Sequence, residues 1–272
     1  MTASAGTFGG RPSLGTAAAA WFVLLFLVAP SLVVIPMSFA SEDILVFPPR
    51  RYSFYLYEKF FFTSDWVATS LLSARIAIVA TILALVLGSA AAYGLVRGTF
   101  PGRQVVTLFL LSPMFVPLVV VALAFYIYFA TLRLQGTELA FILAHTAYVT
   151  PYVIVVLMAA LRNVDPNLEQ AARTMGAGRF YTFRRVTLPL IKPGLISAGL
   201  FGFLLSFDEL VIGLFLADFD TKTLPVKMWE NIIFEVSPVL AAVSTLLTAL
   251  AFGLSLFVVA AQTRTQNGSK PS

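Results

Sequence analysis

Cysteine is absent from all 272 residues, which removes disulfides, thiolate metal ligands and cysteine nucleophiles together. Histidine occurs once, at His145, so an imidazole-built metal centre has no second member and none is expected. Charge is scarce as well, at 11% of residues against 59% apolar ones. That is more apolar surface than a soluble core can bury, so the chain belongs in a bilayer. The sequence lacks a G-x-x-x-x-G-K-[ST] phosphate loop, Gly176-Ala-Gly178 being too short to make one. It also lacks G-x-S-x-G and H-E-x-x-H, which argues against an integral-membrane enzyme. Low-complexity segments, long linkers and internal repeats are missing too, leaving a single domain, 1–272, with a core at about 67–262.

What is present is a set of six apolar runs, at about 16–39, 74–96, 105–130, 139–161, 194–217 and 238–261. Each can cross ~30 Å of hydrocarbon at a rise of ~1.5 Å per residue. The expected fold is all-α, a polytopic membrane bundle of six helices. The net charge of +5 is not spread as a nucleic-acid surface; it collects in alternate loops. With both termini inside, Arg11, Arg97, Arg103, Arg162, Arg173, Arg179, Arg184, Arg185, Lys192, Arg264 and Lys270 face the cytoplasm against only Asp165 and Glu169. Every other acid outside the apolar runs falls in an external loop, which is the positive-inside pattern. The first run resembles a secretory signal in place only: it is long, carries Pro30 and Pro36, and has no small-residue cleavage site, so it reads as a retained helix.

The loop at 162–192 reads as two short helices about a glycine turn, built to protrude and meet another protein. Asp165 is placed as an N-cap and Pro166 as the first helical residue. Val164, Leu168, Ala171, Ala172 and Met175 share one face, with Glu169 four residues before Arg173 on the wet side. Gly176 supplies a left-handed stop. A second helix from about Gly178 should turn Phe180 and Phe183 inward and Arg179, Arg184 and Arg185 outward, with Pro189 ending it.

Gln170-Ala171-Ala172, Gly176 and Val186-Thr187-Leu188-Pro189 resemble the cytoplasmic motif of ABC importer permeases, E-A-A, three residues, G, nine residues, I-x-L-P. Gln170 stands where that motif has its acid, with Glu169 one residue earlier, and Val186 stands for isoleucine. Ser206-Phe-Asp-Glu-Leu-Val-Ile212, Thr223-Leu-Pro-Val-Lys227, Val236-Ser-Pro-Val-Leu-Ala-Ala-Val-Ser-Thr-Leu-Leu247 and Leu83-Ala-Leu-Val-Leu-Gly-Ser-Ala-Ala-Ala-Tyr93 resemble the second membrane subunit of spermidine/putrescine-type importers. The resemblance implies a multi-pass subunit of the bacterial inner membrane. It also implies partners: a paralogous second permease, two cytoplasmic ATPase subunits and an external solute-binding protein. Glu169, Gln170, Ala171, Ala172, Gly176, Leu188 and Pro189 would couple the chain to the ATPases. ATP and Mg would be bound there, with no cofactor in this chain. The solute would be a polyamine, or another small solute such as an amino acid, an opine or an inorganic ion.

Within the apolar runs Asp208 and Glu209 are costly, at ~2.5–3.5 kcal/mol each on the insertion scale. Gly194, Ala198, Gly202 and Ser206 make a small-residue stripe along which Glu209 points, Asp208 lying ~100° away. Asp208, Glu209, Phe207 and His145 are the candidates for a translocation path, the alternative being a network that holds helices together. Arg75 is expected at the outer interface, and Pro113, Pro117 and Pro151 as kinks. The aromatic run 47–66 suits a headgroup-level belt, and Pro225 the start of a short external helix. An independent secondary transporter would also use intramembrane acids, but the chain has no paired inverted repeats.

Overall fold

A computed structural model describes residues 14–63, 65–234 and 236–267, the stretch 257–267 by backbone alone. The cytoplasmic charges expected at Arg11 and Lys270 fall outside the described residues. Among the described residues every regular element is helical, and one isolated bridge, Ala40 with Tyr52, is the only β pairing. Four helices are long and apolar enough to cross a bilayer, or six if each of two sharply bent helix pairs counts as one span. The chain forms two compact units, Met1–Phe62 with Ser237–Thr248, and Thr63–Val236 with Ala249–Ser272.

In the first unit, α1 (Leu14–Met37) buries none of its side chains, as a helix facing lipid would. Behind it Phe39 meets Phe54 and Tyr57 at ring distances of 5.5 and 5.3 Å, and Ser38 Oγ lies 2.7 Å from the Tyr57 hydroxyl. The short α2 (Tyr55–Glu58) runs into a π turn, Lys59–Thr63. Its Lys59 pairs with Asp43 at 2.6 Å. Phe47, Tyr52, Phe54, Phe61 and Phe62 remain exposed, the pattern of side chains held at an interface.

The second unit is organised on α3 (Trp66–Arg97), whose 32 residues reach ~48 Å, more than the hydrocarbon thickness. Its buried positions, Thr69, Ser73, Ile76, Ala80, Ala84, Gly88, Ala92 and Leu95, recur at three or four residues and form one face. That face is mostly small, because helices in lipid associate by close packing. α4 (Arg103–Leu111) leads through a 3-10 turn, Ser112–Phe115, to α5 (Leu118–Thr131). The expected span at 105–130 is therefore broken by 98°, in the region where kinks were expected at Pro113 and Pro117. The cause is local: Pro117 forces Val116 into extended backbone, ψ 135°, and supplies no N–H.

α6 (Glu138–Arg162) packs along α3 and runs through Pro151 as one helix. Beyond it come α7 (Pro166–Thr174), α8 (Arg179–Thr182), a π turn Phe183–Thr187 and α9 (Leu188–Leu190). α10 (Lys192–Phe207) lies against both α3 and α6. A Cβ at Gly88 would sit 2.7 Å from Val153 Cγ1, and one at Gly202 3.0 Å from Val149 Cγ1, so the small residues set how closely these helices approach. The expected span at 194–217 is also divided, into α10 and α11 (Val211–Leu216), with Asp208 and Glu209 in the break. α12 (Leu224–Ile233) begins at the expected proline, and α13 (Val239–Asn267) closes the chain.

Two apolar clusters fill the second unit. Ala84, Ala92, Val149, Val153, Leu157, Leu161, Val164, Ile191 and Ala198 lie toward the Arg97 end of α3. Ile76, Ala122, Phe129, Ala140, Phe141, Ala144, Ile212 and Leu216 lie toward its Trp66 end. Polar groups gather at three levels: at each end of α3, and between the two clusters.

Candidate functional site

At the Arg97 end, Asp165 caps α7 as the sequence suggests, its carboxylate accepting from Asn167 N at 2.9 Å. Gly176 adopts φ +87°; Gly176 N donates to Arg173 O at 3.0 Å and Ala177 N to Ala172 O at 3.1 Å, the Schellman pattern. The shared apolar face is only partly covered by the chain itself. Only Val164 and Ala172 of that set are buried, while Leu168 is 48% and Met175 83% exposed, and Ala171 and Gln170 are exposed. Glu169, expected in solvent beside Arg173, is the buried one. It accepts from Arg97 Nε at 3.0 Å, Thr187 Oγ1 at 2.9 Å and, more loosely, the Tyr93 hydroxyl at 3.4 Å. Charged hydrogen bonding to groups far away in sequence outweighed helical periodicity, which assumes that carboxylates face water.

The second arm is corrected likewise. Thr182 and Thr187 point inward, whereas Phe180 is 76% exposed. Phe183 is turned in as expected, edge-on to Tyr93 with ring centres 5.1 Å apart. Pro189 lies in the first turn of α9, where its missing N–H is harmless, so it does not end the helical stretch; the 73° bend follows at Ile191. Leu188 is half-buried, and Arg173, Arg179, Arg184 and Arg185 are exposed. The loop therefore exposes Leu168, Met175, Phe180 and Tyr181 together with Arg173, Arg179, Arg184 and Arg185.

Between the clusters, His145 Nδ1 lies 2.8 Å from Ser206 Oγ, and His145 Nε2 is 4.0 Å from Glu209 Oε2. Glu209 Oε2 accepts from Ile212 N at 2.8 Å and Gly213 N at 3.2 Å, so this carboxylate caps α11. Both His145 and Glu209 are buried, whereas Asp208 is exposed and Phe207 half-exposed. Phe207, the residue before Asp208, stacks on Phe203 with ring centres 5.4 Å apart. The stripe Ala198, Gly202 and Ser206 is buried as expected. No cluster of three metal-ligating side chains occurs among the described residues.

At the Trp66 end, Arg75 makes a two-pronged pair with Glu138, both contacts 2.5 Å. Leu224 N donates to Ser73 Oγ at 2.6 Å, and Lys227 pairs with Asp65 while its Nζ lies 4.7 Å from the Trp66 ring centre. These contacts fasten the start of α12 to the start of α3. The Asp65 carboxyl is held below its ordinary value first by the hydrogen bond from Lys227, against a smaller opposing effect of desolvation.

Sequence reasoning did not single out Tyr93, Arg97, Thr187 or Ser206 as site residues. Ser206 was visible as part of a stripe, but nothing in its spacing pairs it with His145, 61 residues away. Arg97 carried a topological signal only.

Among the described residues, an all-helical chain with four long apolar helices and two sharply bent apolar pairs has the make-up of a multi-pass membrane protein. The family model for "Binding-protein-dependent transport system inner membrane component" matches residues 84–265, and the chain belongs to that family of importer permeases. The chain is 33% identical to the putrescine transport system permease protein PotI of Escherichia coli K12 over 240 residues, 86% of this chain and 85% of the relative. It is 27% identical to the spermidine/putrescine permease PotC of Haemophilus influenzae over 232 residues, 85% and 90% of the two chains. A probable molybdenum ABC transporter permease of Haloferax volcanii is 31% identical over 211 residues, 72% and 76%. The fold matches that in a crystal structure of a bacterial ABC transporter that imports alginate, with a TM-score of 0.68 at 14% identity over 94% and 96% of the chains. It also matches the MetNI methionine transporter in inward-facing form, TM-score 0.57 at 19% identity, over 71% and 92%.

Proposed function

We propose that this chain is one membrane half of an ATP-driven polyamine importer. The observation that carries the solute is the 33% identity to a putrescine permease across most of both chains. The other half would be a second permease, with two ATPases on the cytoplasmic loops and an external protein delivering the solute. The termini and the 162–192 loop face the cytoplasm in this reading, and the α12 end faces outward. The exposed apolar side chains of this loop, Leu168, Met175, Phe180 and Tyr181, are the ones that enter an ATPase cleft, and closure of the two ATPases drives alternating access.

Asp208, exposed in the break after the stacked Phe203 and Phe207, suits a flexible polycation: an exposed acid lowers the barrier without surrounding the solute. His145 and Glu209 stand behind it and hold the helix break in shape. Uptake of labelled putrescine or spermidine by the reconstituted complex tests the solute. Competition by unlabelled polyamine is expected; competition by molybdate alone would replace polyamine with an oxyanion. Asp208→Asn should lower uptake by about tenfold, ~1.4 kcal/mol on the transport barrier. Glu209→Gln keeps a carbonyl oxygen for the Ile212 and Gly213 N–H groups and should change uptake much less.

A further inference from the structure

We propose that Arg97 and Glu169 form a strut that transmits motion of the cytoplasmic loop into α3, making them positioning residues for coupling. The inference rests on the loop being the ATPase dock, and it concerns what happens behind that dock. Most of α7 is exposed, yet its Glu169 is 4% exposed and receives hydrogen bonds from two other segments. Arg97, in the last turn of α3, uses Nε on Glu169 and Nη2 on Val164 O at 2.8 Å. Thr187 brings in the second arm of the loop, and the Phe183 ring covers Tyr93 one turn before Arg97. Three segments far apart in sequence thus meet at one carboxylate.

The geometry explains why the pair is an arginine and a glutamate. A planar guanidinium reaches a carboxylate and a carbonyl in different directions at once, which a lysine ammonium on a flexible stem does not reproduce. The side chains are 14% and 5% exposed, so removing one leaves the other charge buried and poorly solvated. Without the pair, α7 is joined to the bundle through its backbone ends near Asn163 and Gly176 and through the packing of Val164 and Ala172. A docked ATPase could then displace α7 while α3 stays still. With it, a push on the exposed face of α7 reaches a helix closely packed on α6 and α10.

The test uses the complete transporter, reconstituted with its ATPases and binding protein, and reads ATPase copurification separately from solute moved per ATP hydrolysed. Arg97→Lys and Glu169→Gln are expected to retain the ATPase and hydrolyse ATP while solute per ATP falls by about tenfold. Arg162→Gln, exposed and outside the network, should leave that ratio unchanged. Unchanged solute per ATP in both strut variants would overturn the proposal, and so would a loss confined to ATPase binding. If the single variants fail to accumulate, the double variant Arg97→Gln with Glu169→Gln decides, because it leaves no unpaired buried charge: a lowered ratio supports the strut and an unchanged one rejects it. Met175→Glu separates this from the docking reading. If that variant keeps both ATPase binding and coupling, the dock lies elsewhere, whatever the strut variants show.

Discussion

Single side chains settle where this fold bends and where it is fastened. Lys227 is largely buried, and its ammonium meets both Asp65 and the face of Trp66, so one cation joins α12 to the start of α3. The Asp65 carboxyl, held below its ordinary value in the folded state by the hydrogen bond from Lys227, binds its proton less readily folded than unfolded. Its contribution to stability is therefore complete above the unfolded value and fades as pH falls through the lower folded one. Because the Asp65 side chain is 79% exposed, solvent screens the pair and the contribution is small. The expected outcome is a thermal midpoint insensitive to this group from neutral pH down to about 4 and falling below it. Asp65→Asn should lower the midpoint slightly at neutral pH and flatten the acid limb. An acid limb identical in the variant and the parent would show that the pair contributes nothing.

At the level of elements, the loop between α6 and α10 is best tested at its turn. Gly176 holds φ +87° with open space where a side chain would go, so a substitution acts through backbone strain alone. Gly176→Val should cost about 1–2 kcal/mol locally. It should loosen the angle between α7 and α8 and reduce ATPase copurification while the membrane helices still insert; normal copurification with normal expression would refute docking through this turn. The cap at Asp165, the glycine stop, the small-residue stripe on α10 and the proline that starts α12 were legible in sequence because each depends on neighbours within a few residues. Glu169 was not, since its partners lie 18 and 72 residues away. The exposure of Phe180 was misread for a related reason: periodicity identifies an apolar face but not whether it is covered by the same chain or awaits another. The broken spans were half legible, Pro117 announcing a bend without its angle, and Glu209 announcing a buried charge without showing that it would cap a new helix.

For the whole molecule, the orientation of the spans decides whether any of this chemistry is reachable. The basic residues of the 97–103 and 162–192 loops meet only two acids, whereas the loops at the other ends of the same helices hold most of the carboxylates. Translocation of Lys- and Arg-rich loops is disfavoured, which supports the proposed orientation with the basic loops inside. The ion pairs fit that division. Arg75–Glu138 and Lys227–Asp65 fasten the Trp66 end of α3, and Arg97–Glu169 fastens the opposite end, with apolar side chains filling the length between. Reporter fusions after Gly102, Arg179 and Gln262 should therefore read cytoplasmic, and fusions after Lys59, Gln135 and Lys222 external. The decisive fusion is the one at Arg179. A cytoplasmic reading there leaves the exposed Met175 and Phe180 where ATP is available. An external reading would place them beyond the reach of any ATPase, and with them the dock, the strut behind it and the proposed route for nucleotide energy into the bundle would all fail.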